Sequence, residues 1–365
     1  MSMMALDIGG ANIKAAHIVG AGTAMRTWSH PFALWRSPGD LVRELAVVCG
    51  HAGAFDQMLV TMTAELCDCF ATKREGVEHV LDAVDTVAAG RQVQVWSTNA
   101  GFMTPAQARA HPWACAAGNW HALATLIARV FNDETVVLVD TGSTTTDIIT
   151  LDHGDVRAVG LTDARRLASG ELVYIGAART PLCALGPSVQ LIGTTYGVMA
   201  EHFATSADVF VLTGDCEEHP NCNDTADGRP LSRRCAAARV LRMIGADLEL
   251  MAMNEAQALA HVFAISMRDR LAGAITRVID VRMIDRIILS GSGAFLAQRA
   301  ADEALPSVTQ THFADLFGKS ASHAACAVAL LALADHNAAC RFMARRDRRG
   351  FCDVTSGDHT ANTER

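Results

Sequence analysis

Apolar residues along this chain fall into two rhythms. Short continuous runs mark strands at 3–8, 13–19, 58–63 and 93–97, and helically spaced apolar positions predict helices at 39–52, 73–89 and 119–131 between or after them. A second cycle opens at Val136, with strands expected at 136–141, 146–151, 156–160 and 208–213, and a helical half at 190–204, 231–251, 254–280 and 294–304. A last helical run covers 322–340. Alternation of this kind predicts an α/β fold in which sheets are flanked by helices.

Two of the strand pairs carry the same turn. Asp7-Ile8-Gly9-Gly10-Ala11-Asn12-Ile13-Lys14 and Asp140-Thr141-Gly142-Ser143-Thr144-Thr145-Thr146-Asp147 each lie between apolar runs, so each reads as strand, glycine-tipped turn, strand. Glycine lets backbone N–H groups approach a phosphate, and Asn, Ser, Thr and Lys side chains add donors. The expected phosphate-binding residues are therefore Gly9, Gly10, Asn12, Lys14, Gly142, Ser143, Thr144 and Thr145, with Asp7, Asp140 and Asp147 placed to hold Mg²⁺ directly or through its waters. A single Asp-x-Gly turn is commonplace, but its recurrence at matching places is not. Neither copy is a Walker A motif or a GxGxxG. A third glycine run, Ile287-Ile288-Leu289-Ser290-Gly291-Ser292-Gly293-Ala294, leads into a helix.

Other constellations bear chemistry of their own. Val60-Thr61-Met62-Thr63-Ala64-Glu65-Leu66-Cys67-Asp68 sets two carboxylates just past a strand end, where cleft residues of α/β proteins lie. One suits deprotonation of an acceptor hydroxyl and the other a Mg²⁺ ion or a substrate amine; acidic residues favourable to a helix dipole are the structural alternative. Arg165, Arg166 and Arg179 can pair with a phosphate or carboxylate, or form a solvated patch. Asp227 and Arg229, in Thr225-Ala226-Asp227-Gly228-Arg229-Pro230, either cap the next helix or close on substrate. Cys216, His219 and Cys222 are the one cluster with zinc-ligand chemistry, against an ordinary loop.

Composition narrows the class. With 365 residues, half of them hydrophobic and 19% charged, the chain is long enough for two cores. A net charge of −8 argues against nucleic acid or an anionic membrane as the main partner. The first residues lack a signal-peptide pattern, and the apolar stretch at 324–334 falls far short of the ~20 residues that span a bilayer. Eleven cysteines, an odd number with no C-x-x-C pair, fit a reducing compartment. The expectation is a cytoplasmic enzyme acting on small molecules, with homo-oligomerisation left open.

The two turns and the third glycine run, in that order, resemble the phosphate-1, phosphate-2 and adenosine-side motifs of the actin/sugar kinase/Hsp70 superfamily. Together with 62–68, Arg179-Thr180-Pro181, 203–209 and 225–230, they resemble its hydantoinase A/oxoprolinase-like branch, and within it the family associated with tetrahydromethanopterin-linked one-carbon metabolism and methanofuran biosynthesis. That resemblance implies a two-domain actin-like (ribonuclease H-like) fold with a central cleft. Domain I would comprise 1–133 plus 322–342 and domain II 134–321, with 343–365 a flexible tail. It also implies a transferase joining an aminomethylfuran-methyl diphosphate to the phenol of γ-glutamyltyramine or a tyrosine-like acceptor, releasing diphosphate. In that reading Lys14 holds the leaving group, Glu65 or Asp68 is the base, and Arg179, Asp227 and Arg229 face substrate. Mg²⁺ is expected; ATP is compatible through a nucleotide-like loop at Gly291 and Gly293 but not required. The alternatives are an ATP-dependent kinase or hydantoinase/oxoprolinase-type hydrolase, and a non-catalytic nucleotide-binding protein.

Overall fold

The structure is a computed structural model, and it describes residues 2–19, 25–279 and 282–335. Two mixed sheets are built alike. In the first, β1 (Met3–Ile8), β2 (Asn12–Ile18), β3 (Met25–Pro31), β4 (Gln57–Met62), β5 (Gln92–Ser97) and β6 (Gly101–Met103) lie in the order β3-β2-β1-β4-β5-β6. In the second, β7 (Thr135–Thr141), β8 (Thr146–Asp152), β10 (Leu172–Val173), β13 (Arg286–Ser290) and β14 (Thr309–His312) lie in the order β10-β8-β7-β13-β14, and β9 (Asp155–Val156) pairs with β8. Each sheet thus holds an antiparallel hairpin, β1–β2 or β7–β8, whose first strand continues into parallel neighbours. Every residue of β1 and of β4 is buried, as parallel strands covered on both faces require.

Alternation along the strands sorts the cores. Met4, Leu6 and Ile8 point to α1 (Leu41–Ala52) and α2 (Lys73–Ala88), whose Leu45, Val48, Val77 and Leu81 fill one core with the short α3 (Pro105–Ala110) and α4 (Pro112–Cys115). Met3 and Ala5 face the other way, onto α5 (Asn119–Val130) and the closing helix. In the second sheet Val137 and Val139 pack toward α7 (Ser206–Thr213), α8 (Arg233–Arg242), α9 (Met253–Ile279) and α10 (Ala294–Ala304), while α6 (Asp163–Ser169) precedes β10. Val136 and Leu138 share the core of Met3, Ala5 and α5. After α11 (Phe313–Phe317) and α12 (Lys319–Ser322), α13 (Ala325–Ala334), apolar on all sides, lies against β1, β2, β4 and α5. One core therefore runs between the sheets.

Four sequence expectations fail here, the first being the strand at 156–160, which ends at Val156 after a two-residue pairing with β8. Residues 208–213 are not a strand but α7, because Thr205 and Asp208 form a reciprocal cap and their β-branched neighbours are buried on all sides. Residues 190–204 are not a helix; β11 (Ser188–Leu191) and β12 (Thr194–Gly197) form a hairpin turned by Ile192 and Gly193, both at positive φ, and irregular chain follows. The 231–251 helix stops at Arg242, and Gly245 follows at positive φ. The end of the 322–340 run and the tail at 343–365 lie outside the described residues. No helix among the described residues is long and apolar enough to cross a membrane.

Candidate active site

Both hairpin tips have one hydrogen-bonded design. Gly9 N–H donates to the Asn12 carbonyl at 3.0 Å, and Gly142 N–H to the Thr145 carbonyl at 2.8 Å, so the two turns correspond in hydrogen bonding and register, and Lys14 and Asp147 hold equivalent positions opposite Asp7 and Asp140. Outward carbonyls are consumed. Those of Gly10 and Ala11 accept from Leu34 and Phe32, and those of Gly142 and Ser143 accept from Ala177, Ala178 and Arg179. The N–H groups of Gly10, Ala11, Ser143 and Thr144 have no partner within the described protein, which leaves four donors at two tips that line the same cleft of about 520 Å³. Gly176 makes this packing feasible: a Cβ there would lie 2.5 Å from the Thr144 nitrogen.

Charge is concentrated behind the tips. Burial raises the carboxyl of Asp7, against the pull of Lys14 and Asn119, and it pushes Asp140 up to about 6, with Asp147 adding to the effect. Burial works against the Lys14 ammonium, but Asp7, Cys326 and Asp140 outweigh it and leave its pKa above that of an ordinary lysine. Asp147, also raised by burial, is partnered: Arg166 donates to its Oδ1 at 2.7 Å and stacks 4.0 Å above the Trp120 ring. Asp7 and Asp140 each retain a buried carboxylate oxygen with no hydrogen-bond partner. These two residues fit a Mg²⁺ ion shared with phosphate oxygens and water, whereas Asp147 is already engaged. Among the described residues no three His, Cys, Asp or Glu side chains form a metal-holding group alone, so Cys216, His219 and Cys222 make no such site.

Glu65 sits in the 3₁₀ turn Ala64–Leu66 directly after β4, with 1% of its surface exposed. Neither carboxylate oxygen has a hydrogen-bond partner, and Lys73 Nζ stands 4.0 Å away. Burial, only partly offset by Lys73, pushes its carboxyl up to about 7. Gly76 lets α2 pack on this turn, since its Cβ would lie 2.5 Å from the Glu65 carbonyl oxygen. Asp68 also lines the cleft but is exposed.

Arg179 reaches the cleft and stacks on Trp35 at 4.4 Å. Asp227 and Arg229 do not line it: Asp227 accepts from buried Arg239 at 2.8 Å, and Arg239 also holds Asp208, so this turn ties α8 to α7 rather than facing substrate. Gly291 and Gly293 do not line it either. Their missing Cβ atoms make room for the end of β7, where Gly293 N–H donates to the Thr141 carbonyl at 2.8 Å. Sequence reasoning missed Trp35, Lys73, Asn119, Trp120 and Asp163, which line or border the cleft. Only the helix starts at Lys73, Asn119 and Asp163 could have marked any of them.

Residues 57–335 match the hydantoinase/oxoprolinase family. The chain belongs to that family. Among relatives of this chain, the (4-{4-[2-(gamma-L-glutamylamino)ethyl]phenoxymethyl}furan-2-yl)methanamine synthase of Methanocaldococcus jannaschii is 30% identical over 301 residues, 82% of this chain and 89% of that protein. The synthase of the same name from Methanococcus vannielii is 30% identical over 171 residues, 47% of this chain and 77% of its own. Among solved structures, nucleotide-free acetone carboxylase, 8% identical, covers 90% of this chain and 70% of its own with a TM-score of 0.51, a likeness of fold. The architecture is the two-domain actin-like fold with its cleft between the sheets.

Proposed function

We propose that this protein is an ether-forming transferase of methanofuran-type biosynthesis, joining a furfuryl diphosphate to the oxygen of a phenolic amine or amino acid. The observation that carries the reading is the pair of opposed tips, which offer four unpartnered N–H groups beside Lys14 and opposite a buried carboxylate. A furfuryl diphosphate ionises readily because the ring spreads positive charge. The protein's task is then to stabilise the departing diphosphate and to hold the phenol close.

The tip N–H groups and Lys14 bind the diphosphate oxygens, and Arg179 pairs with an outer phosphate oxygen or an acceptor carboxylate. When bound, Mg²⁺ held by Asp7 and Asp140 neutralises charge on the diphosphate. Glu65 accepts the phenol proton as the bond between the phenol oxygen and the furfuryl methylene carbon forms and the bond from that carbon to the diphosphate oxygen breaks; its carboxyl near 7 is matched to such a role. Exposed Asp68 pairs with the substrate ammonium. ATP is not a reactant.

Purified protein incubated with aminomethylfuran-methyl diphosphate, γ-glutamyltyramine and Mg²⁺ should yield the aryl ether, followed by mass spectrometry, with one diphosphate released per ether. Ether formation strictly dependent on ATP hydrolysis, or ATP turnover with no ether, overturns the proposal.

A further inference from the structure

Beside Glu65 lies a charge pair that the reaction above does not use. Lys73 opens α2, packed on the first sheet, and Asp163 opens α6 near the second. Their side chains meet across the cleft: Lys73 Nζ donates to Asp163 Oδ2 at 2.5 Å and stands 4.0 Å from Glu65 Oε1. Both are mostly buried, with side chains 17% and 15% exposed. Two carboxylates, one on each side, thus compete for one ammonium. The remaining titratable groups facing Glu65 are Cys67 from its own turn, Cys115 of α4 and Tyr174 beyond β10, and none of them carries positive charge.

We propose that Lys73 and Asp163 are positioning residues that set the proton affinity of Glu65 according to whether the cleft is closed. With the halves together, Asp163 takes the ammonium hydrogen bond and Glu65 remains an unpaired, proton-seeking carboxylate. Parting of α2 from α6 releases Lys73 to Glu65, which then holds its charge too well to act as a base. Proton acceptance is thereby confined to the closed cleft. This inference rests on Glu65 being the base.

The titration of Glu65 is measured in the full chain without substrate, by isotope-edited infrared spectroscopy of its carboxyl band, identified by its loss in Glu65→Gln. Lys73→Met should move the midpoint upward and Asp163→Asn downward, each by about one pH unit or more, and Lys73→Arg should restore the wild-type value. A purely structural pair would, when broken, admit water in both variants and move both midpoints down. Shifts in the same direction, or none, overturn the proposal. Opposite shifts in a protein whose Glu65→Gln variant keeps full turnover would uphold the shared ammonium while refuting the catalytic reading of Glu65.

Discussion

At Glu65, stability and chemistry pull against each other. The folded protein holds this carboxyl near 7, above the ordinary 4.5, so it binds its proton more tightly than the unfolded chain does. Between those values the unfolded chain ionises first, and the folded state loses stability as pH rises; the penalty is complete above about pH 7 and amounts to roughly 3 kcal/mol. Glu65→Gln should therefore raise the thermal midpoint at pH 8 and give no gain at pH 4, while turnover falls by about 10²–10⁴-fold. Thermal melts at the two pH values, alongside turnover assays, check this; a wild-type midpoint at pH 8 would mean the carboxyl is not held in its neutral form. Two acids after an apolar strand were visible in sequence at Glu65 and Asp68. Which one is buried was not, because that depends on Gly76 letting α2 close over one of them.

The recurring element is the glycine-tipped hairpin, and its donors are available only because the backbone carbonyls are tied off by neighbouring segments. Gly176→Ala should push the 143–144 tip out of place and raise the diphosphate Kd by about tenfold or more, equivalent to at least ~1.4 kcal/mol. No polar group is removed by that change. Gly197→Ala is the control, since its Cβ would meet nothing within 4 Å, and calorimetric titration of both variants separates loop displacement from a general loss of flexibility. The hairpins were legible because strand periodicity and glycine placement are local signals. The 190–204 and 208–213 segments misread because short apolar runs fit strand and helix alike, and a cap at Thr205 or a left-handed turn at Ile192–Gly193 decides between them.

Across the whole molecule, the second half is tied by a buried ionic triad. Arg239, fully buried, holds Asp208 of α7 and Asp227 of the preceding turn. Arg239→Met strands two carboxylates and should cost about 3–5 kcal/mol in urea unfolding. Under native conditions its diphosphate affinity should stay at the wild-type value, because none of the three residues lines the cleft. Weakened diphosphate binding with intact stability would instead return Asp227 to the substrate.

The sequence alone determined the two turns, the alternation of strands and helices, and the acids past β4, because glycine chemistry and hydrophobic period act over a few residues. It also carried the family resemblance, spread over motifs from Asp7 to Pro230. Tertiary structure alone decided that Asp147 belongs to Arg166, that Asp227 belongs to Arg239, and that Lys73 meets Asp163 ninety residues away. Side-chain partners of this kind have no sequence signal, since burial and charge pairing are set by which surfaces the two sheets bring together across the cleft.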